Sequence, residues 1–236
     1  MSKHMKRLTA PTSWPVSRKK HVWVTKQTPG AHAIDRSMPL LVLLRDLAGY
    51  CDTAREARRI IGERKVLVDG KVATHFKAPV GVMDVVSFPD SKEHFRLLLD
   101  RLGHFRLMRI TPEEAKWKLV RIENKTTIKD GRTQLNLHDG RNIVLDKNVR
   151  RTGDTLKISI PDQKILGVHE FKVGSTAYLT GGTHIGQFGT VEELIVTRSS
   201  SPNIVKFKDG FSTVKDYVFI VGGESSEIAL PEVNAL

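Results

Sequence analysis

Four Asp-Gly dipeptides, spread through the chain, constrain its fold more than any other feature. They are Asp69-Gly70, Asp130-Gly131, Asp139-Gly140 and Asp209-Gly210. Asp-Gly readily adopts the positive φ angles of the tight turns that join antiparallel strands. Short apolar or alternating segments flank these dipeptides, which indicates strands. The sequence therefore predicts a chain built largely from antiparallel hairpins.

Two helices are predicted before the first hairpin, so the predicted fold class is α+β. A wide apolar surface from Met38 to Leu47 ends at Gly49, a typical C-cap. Thr53 and Glu56 then have the spacing of a capping box and open a second helix. A strand over Val80–Phe88 follows the hairpin. Residues 38–89 thus form a predicted helix–helix–hairpin–strand module.

The remainder of the chain has the pattern of β structure. Residues 90–171 form a predicted central β-rich domain, in which Phe95–Leu99 and Phe105–Ile110 are strands around a turn at Gly103. Short strands at regular spacing over residues 172–222 predict a small β-barrel. Residues 223–236 are predicted to be a flexible tail. With an N-terminal arm over residues 1–37, the chain has five predicted parts.

The arm is basic and contains no Asp or Glu through Gly30. Pro11, Pro15 and Pro29 interrupt any helix there. A segment that buries so little apolar surface does not offset its own ordering entropy, so we expect it to order on a polyanion. Its cations are the candidate RNA contacts Lys3, Lys6, Arg7, Arg18, Lys19, Lys20 and Lys26.

Two tryptophans, Trp14 and Trp23, lie among the cations of the arm. Aromatic rings between Lys and Arg can stack on bases or sugars while the charges bind phosphates. The alternative is that each ring anchors the arm to the protein body. The sequence leaves both roles open, and Trp14 is included among the candidate RNA contacts.

The net charge restricts the partners. The 236 residues include 38 Lys and Arg against 26 Asp and Glu, which gives +12. Such a field attracts polyanions, and nucleic acid is favoured over acidic proteins or an anionic membrane. The longest apolar stretch, near Met38–Leu44, is far shorter than the roughly 20 residues of a membrane span. We expect a cytoplasmic chain with no membrane partner and no small-molecule substrate, in which the single cysteine, Cys51, is a buried apolar residue.

A second basic group lies in the 38–89 module. Its clustering on one helix and a hairpin favours RNA binding over the alternative of a solvated basic face. The candidate contacts are Arg55, Arg58, Arg59, Arg64, Lys65, Lys71 and Lys77.

A glycine-rich loop follows the predicted strand Ala177–Thr180. Glycines without side chains let a backbone approach a phosphate–sugar chain closely, although they also serve simple turns. A nucleotide-binding P-loop is excluded, because Gln187 and Phe188 stand where Lys and Ser or Thr are required. The candidate RNA contacts in this loop are Gly182, His184, Gly186 and Gly189.

No catalytic or metal-binding constellation is evident. The chain contains no His-Glu-x-x-His sequence, and one cysteine excludes multi-cysteine zinc sites. Asp84, Asp90 and Asp100 are conceivable general bases, but all three lie near turns or strand ends, where solvated acids are common. We therefore predict no enzyme, no cofactor and no metal.

Several motifs resemble known families. Ala57-Arg58-Arg59-Ile60-Ile61 followed by Val66-Leu67-Val68-Asp69-Gly70 is similar to the RNA-binding module of bacterial ribosomal protein S-four, tyrosyl-tRNA synthetases and some pseudouridine synthases. Residues 173–206 resemble a KOW motif, which implies an SH3-like barrel. The segment from Lys3 to Pro11 with Trp14, and the ending Asp216–Gly222, resemble the archaeal and eukaryotic small-subunit ribosomal protein family called S-four-E.

The resemblance covers nearly the whole chain, and its short length looks archaeal. It implies a structural constituent of the small ribosomal subunit that scaffolds ribosomal RNA, chiefly the 5′ domain, beside neighbouring ribosomal proteins. Two alternatives remain: an RNA-modifying enzyme that carries an S-four-like module, and a KOW-containing factor that binds transiently in translation or transcription. Turnover of RNA would indicate the enzyme, and loose association would indicate the factor.

Overall fold

The structure, a computed structural model, describes residues 4–146 and 150–230. The chain divides into two compact units. Unit 1 comprises the described residues of Met1–Leu99 together with His104–Lys118 and Ile160–Asp162. Unit 2 comprises Asp100–Gly103 and the described residues of Leu119–Ser159 and Gln163–Leu236.

Unit 1 has strands and short helices. Its strands are β1 (Met5–Lys6), β2 (Trp23–Val24), β3 (Ser37–Pro39), β4 (Leu67–Val68), β5 (Lys71–Val72), β6 (Pro79–Gly81), β7 (Val85–Phe88), β8 (Glu93–Leu99) and β9 (Phe105–Arg109). Helix α1 (Leu40–Val42) continues as a π-helix over Leu43–Leu47, and α2 covers Ala54–Gly62. Single 3₁₀ turns lie at Arg7–Thr9, Ile34–Arg36 and Glu114–Lys116.

Strands of unit 1 pair in three antiparallel sheets. The largest has the order β5-β4-β7-β8-β9, and β1-β2 and β3-β6 are two-stranded. The predicted turn between β4 and β5 is confirmed, because Asp69 and Gly70 have φ angles of 48° and 71°. The core is formed by residues of both helical segments and of the sheet, among them Leu40, Leu44 and Ile61.

Two predicted elements of the module have different bounds. Met38 lies in β3 and pairs with Val80, so the first helix begins at Leu40 rather than at Met38. The predicted strand Val80–Phe88 is two strands, β6 and β7, because Met83 has a φ of 72° and interrupts the extended backbone.

The described residues of the basic arm are folded as part of unit 1. β1 and β2 pair antiparallel, with Lys6 opposite Trp23. Trp14 is 2% exposed, and its indole N–H donates to Ser37 O at 2.7 Å. The described residues of the arm are thus ordered without a polyanion, contrary to the expectation from composition. The burial of Trp14 and the backbone pairing of β1 with β2 offset the loss of conformational entropy.

Unit 2 is almost entirely β structure. Its strands are β10 (Trp117–Thr127, from Leu119 onward), β11 (Thr133–Leu137), β12 (Asn142–Leu145), β13 (Thr155–Ser159), β14 (Ile165–His169), β15 (Thr176–Leu179), β16 (Phe188–Ile195), β17 (Ile204–Phe207), β18 (Ser212–Val214) and β19 (Val218–Gly222). They form two five-stranded antiparallel sheets, β12-β11-β10-β13-β14 and β18-β17-β16-β15-β19. Single 3₁₀ turns lie at Lys129–Gly131 and Lys215–Tyr217.

Each sheet of unit 2 has its own apolar core. The first core contains Val120, Ile122, Leu135, Leu137, Leu156 and Ile158. The second contains Ala177, Leu179, Val191, Val205, Phe207, Val218 and Ile220. Strand β18, which the sequence pattern did not predict, extends the second sheet at its edge.

The predicted fold class is confirmed at the level of few helices and many strands. The predicted central part, residues 90–171, is divided between the two units, since β8 and β9 belong to unit 1 and β10 to β14 belong to unit 2. The boundaries of the five predicted parts remain a prediction. Among the described residues, no helix is long and apolar enough to cross a membrane.

Candidate nucleic-acid interface

Helix α2 separates a buried face from a cationic face. Ala57 and Ile61 are buried, whereas Arg55, Arg58 and Arg59 are exposed. The capping box is present: Thr53 Oγ1 accepts from the Glu56 N–H at 3.2 Å, and Glu56 Oε2 accepts from the Thr53 N–H at 3.3 Å. The arginine positions are thus fixed by a capped helix and do not contribute to its core.

The end of α2 carries an acidic residue that pairs with two of the candidate cations. Glu63 lies 2.9 Å from both Lys65 Nζ and Arg59 Nε, and Lys65 also lies 3.7 Å from Asp90. The hydrogen bond from Lys65, followed by that from Arg59, lowers the pKa of Glu63. Arg59 and Lys65 are therefore partly neutralised within the protein. Arg55, Arg58, Arg64 and Lys71 are exposed.

A cleft lies between the arm and the helices of unit 1, and we call it the arm cleft. Its volume is about 230 Å³. It is lined by His4, Met5, Trp23, Val24, Thr25 and Lys26 of the arm and by Arg45, Arg58, Phe76 and Lys77 of the module. Three predicted contacts, Lys26, Arg58 and Lys77, are thus brought together with two aromatic rings.

Phe76 organises the cations of the module side of the cleft. The guanidinium carbon of Arg58 lies 4.4 Å from the ring centroid, and Lys77 Nζ lies 5.6 Å from it. A cation over an aromatic face is attracted by the ring quadrupole. The ring therefore holds Arg58 in place without neutralising its charge.

Two predicted contacts of the arm are structural. Arg7 is 5% exposed, and its guanidinium donates to Ser17 O at 2.7 Å and to Trp23 O at 3.3 Å. Trp14 is buried, so its ring cannot stack on a base, and the anchoring alternative is the correct one for it. Trp23, by contrast, is 58% exposed.

The remaining arm cations differ in their surroundings. Lys6, Lys19 and Lys20 are exposed. Arg18 is half-buried and donates to the carbonyl oxygens of Leu8 and Pro11, which uses part of its donor capacity inside the arm. The predicted contact Lys3 lies outside the described residues.

In the glycine-rich loop, two predicted contacts serve packing. A Cβ at Gly186 would lie 2.2 Å from Asp100 O, and one at Gly189 would lie 2.6 Å from Phe207 Cδ1. Both residues are buried, so their close approach is to the protein itself and not to an RNA backbone. Gly182 is exposed with a φ of 82°, and the half-buried His184 ring stacks on Phe211 at 4.3 Å.

Of the three acids considered as general bases, two are buried. Asp84 lies 2.6 Å from Lys118 Nζ and 3.0 Å from His32 Nε2, and its carboxylate also accepts from the Gly81 N–H. Asp100 accepts from the Leu102 N–H in a turn. Only Asp90 is solvated, so the expectation of solvated acids is wrong for Asp84 and Asp100, although both have structural partners.

Sequence reasoning missed Arg45 and Phe76 as parts of the site. Arg45 lies in the π-helix among leucines, and Phe76 lies in a loop without periodicity. The sequence signal that could have identified Phe76 is its position next to Lys77, because an aromatic residue beside a cation is typical of RNA-binding surfaces. Within residues 4–146 and 150–230, no group of three or more His, Cys, Asp or Glu side chains is arranged to hold a metal ion.

Three family models match the chain. The RS4NT domain matches residues 1–35, the S4 domain matches residues 38–86, and the model described as Ribosomal family S4e matches residues 91–165. Together these matches account for the arm, the module and the first part of the β-rich region.

Relatives are similar over almost their full length. The chain is 47% identical to small ribosomal subunit protein eS4 of Methanothermobacter thermautotrophicus, over 97% of this chain and 96% of that protein. It is 49% identical to the protein of the same name from Methanocaldococcus jannaschii, over 97% of each. The crystal structure of 30S ribosomal protein S4e from Thermoplasma acidophilum is 38% identical, with a TM-score of 0.73, over 80% of this chain and 96% of that one.

Proposed function

Because this chain belongs to the ribosomal S4e family, we propose that its exposed cations bind and scaffold the RNA of the small ribosomal subunit. Family membership makes the chain a structural constituent of that subunit and not an enzyme. The alternative of an RNA-modifying enzyme is therefore wrong.

The cationic face of α2 carries this proposal. Arg55 and Arg59 stand on the side opposite the buried Ala57 and Ile61, and Arg58 is exposed at the flank of that side, over Phe76. Proteins recognise an A-form RNA helix mostly through its shape, phosphates and 2′-hydroxyls. Guanidinium groups form charge-assisted, often bidentate hydrogen bonds with phosphates. A capped helix that presents arginines outward is suited to that contact.

The proposed contact surface is smaller than the predicted one. It keeps the exposed Lys6, Lys19, Lys20, Arg55, Arg58, Arg59, Arg64, Lys65 and Lys71, the half-buried Arg18, Lys26 and Lys77, and Gly182 and His184 of the loop. Arg7, Trp14, Gly186 and Gly189 support the protein instead.

The location of the RNA contacts and the fold of residues 172–222 are proposed from the resemblance to the S-four-E family and to the KOW motif. We place the contacts chiefly on the 5′ domain of the ribosomal RNA, beside neighbouring ribosomal proteins, in the cytoplasm. We also propose that residues 172–222 form an SH3-like KOW barrel. The consecutive pairing of β15, β16, β17 and β18, with β19 returning beside β15 around one apolar core, supports the barrel.

Stoichiometry tests the structural role. A permanent constituent is expected at one copy per small subunit after sucrose-gradient sedimentation at high salt. A trace amount, or release into the top fractions, would favour the transient factor and contradict the proposal.

Charge reversal tests the α2 surface. R55E/R58E should weaken binding to small-subunit RNA by at least about 100-fold, because two charge-assisted contacts of about 1.5–3 kcal/mol each are lost. The matched control, R55K/R58K, keeps both charges and should lose far less. Both variants should keep the far-ultraviolet circular dichroism of the parent, since neither side chain is buried. Unchanged affinity of a folded R55E/R58E protein would exclude this face.

A further inference from the structure

The arm cleft has the chemistry of a site for a single unpaired nucleotide. We propose that it takes the base of one extruded nucleotide of the bound RNA, with Trp23 as the stacking surface. This inference rests on the proposed function, and it adds a preference for unpaired RNA that a phosphate-binding helix surface does not provide.

Trp23 is held in place by its backbone while its ring remains open. It lies in β2 opposite Lys6, and its carbonyl accepts from Arg7 Nε at 3.3 Å. The imidazole of His4 contacts the indole edge-on, with the ring centroids 5.9 Å apart. The side chain is nevertheless 58% exposed. A large ring that is fixed in position but not buried is ready to stack on a partner with little loss of conformational entropy.

The module side of the cleft carries a second planar group. The guanidinium of Arg58 lies over Phe76, and His75 stacks on Phe76 with the ring planes 15° apart. Lys77 Nζ also lies 5.6 Å from the centroid of that ring. Phe76 is thus engaged by three neighbours, and the exposed Arg58 supplies the stacking surface on this side. Bases stack on guanidinium planes as well as on aromatic rings.

The charge of the cleft selects a nucleotide over other flat molecules. Lys26, Arg45, Arg58 and Lys77 line it, and none of its described lining residues is Asp or Glu. Arg45 is paired with the neighbouring Asp46 at 2.7 Å, so the positive charge of the cleft comes mainly from the other three cations. Three cations around the cleft suit a base whose sugar is flanked by two phosphates. The volume of about 230 Å³ lies below the roughly 300–1,000 Å³ of drug-sized ligand sites.

Base pairing in the RNA determines which nucleotides can enter the arm cleft. In an A-form helix each base is stacked and paired, so its faces are closed to protein rings. Only a base from a loop, bulge or strand end can enter the cleft. The α2 face can bind duplex phosphates at the same time, because Arg55 and Arg59 are not among the residues that line the cleft.

The test compares two RNA probes with equal numbers of phosphates, a short single-stranded oligouridine and a blunt duplex. W23A should weaken binding of the single strand roughly 5- to 100-fold, the range that one base stack contributes, and should change duplex affinity less than about twofold. W23F keeps a ring and should retain most of the affinity. The control is V22A, which removes an exposed apolar side chain, 63% exposed, next to the cleft.

Ultraviolet crosslinking gives a second readout. In the wild-type complex with small-subunit RNA, a uridine adduct is expected on the peptide that contains Trp23. Two outcomes would overturn the cleft assignment if the parent protein still binds small-subunit RNA. One is an equal loss of affinity for both probes in W23A, and the other is no loss of affinity together with no uridine adduct. Failure of the parent protein to bind that RNA at all would instead overturn the proposed function.

Discussion

Lys118 is fully buried between two carboxylates. Its Nζ lies 2.8 Å from Asp69 Oδ2 and 2.6 Å from Asp84 Oδ1. Burial by itself raises the pKa of Asp84, but the charges of His32 and Lys118 and the hydrogen bonds to the carboxylate outweigh it and hold that pKa well below its usual range. Asp69 also accepts from the Val85 N–H. The buried charges are thus compensated by one another and by backbone donors.

Removal of that lysine should destabilise unit 1. K118M leaves Asp69 and Asp84 buried without their shared cation, and breaking a buried ion pair from one side costs about 3–5 kcal/mol. We expect the free energy of unfolding in urea to fall by that amount. Tryptophan fluorescence reports unit 1, because Trp14, Trp23 and Trp117 all belong to it.

The matched control for this variant is K116M, which removes an exposed lysine two residues away. Its free energy of unfolding should change by no more than about 0.5 kcal/mol, as is typical of surface positions. Similar losses in K116M and K118M would show that the buried network adds nothing to stability.

At the scale of elements, the sequence predicts features that depend on neighbouring residues, but not features that depend on contacts between distant segments. The capping box of α2 and the Asp69-Gly70 turn were predicted because each depends on residues within four positions of one another. The break at Met83 and the pairing of β3 with β6 depend on contacts between distant segments. Likewise, a lysine inside a strand is ordinarily exposed, and the burial of Lys118 follows from acids 34 and 49 residues away.

The capping box links the stability of α2 to its role in RNA binding. T53A removes the acceptor for the Glu56 N–H, a change that costs about 1 kcal/mol. We therefore expect the amide protons of the first turn of α2 to exchange roughly fivefold faster, with a smaller loss of RNA affinity than in R55E/R58E. T53S keeps the hydroxyl and should behave as the parent. Faster exchange in T53S as well would indicate that the methyl group, not the cap, matters.

At the scale of the whole molecule, the sequence indicates the kind of partner through its charge. It does not predict how the charged and aromatic side chains are arranged in space. The net charge of +12 and the acid-free arm are sufficient to indicate a polyanion partner. The arm cleft brings together Trp23, Arg45 and Phe76 from three separate segments, and no local pattern predicts that assembly. Burial then divides the predicted cations, since Arg7 stabilises the fold whereas Lys19 and Lys20 are exposed.

The dependence of RNA affinity on salt should reveal how many phosphates the whole surface neutralises. The slope of log affinity against log salt is roughly −0.7 to −0.9 per phosphate contacted. If Lys19 and Lys20 each bind one, K19Q/K20Q should make the slope about 1.4–1.8 less steep. The melting temperature should not change, because both side chains are exposed. K164Q/K172Q removes two exposed lysines of unit 2 outside the proposed surface and should leave the slope unchanged. If the two double variants have equal slopes, the arm lysines neutralise no more phosphates than lysines elsewhere, and α2 with the arm cleft would have to supply the phosphate contacts.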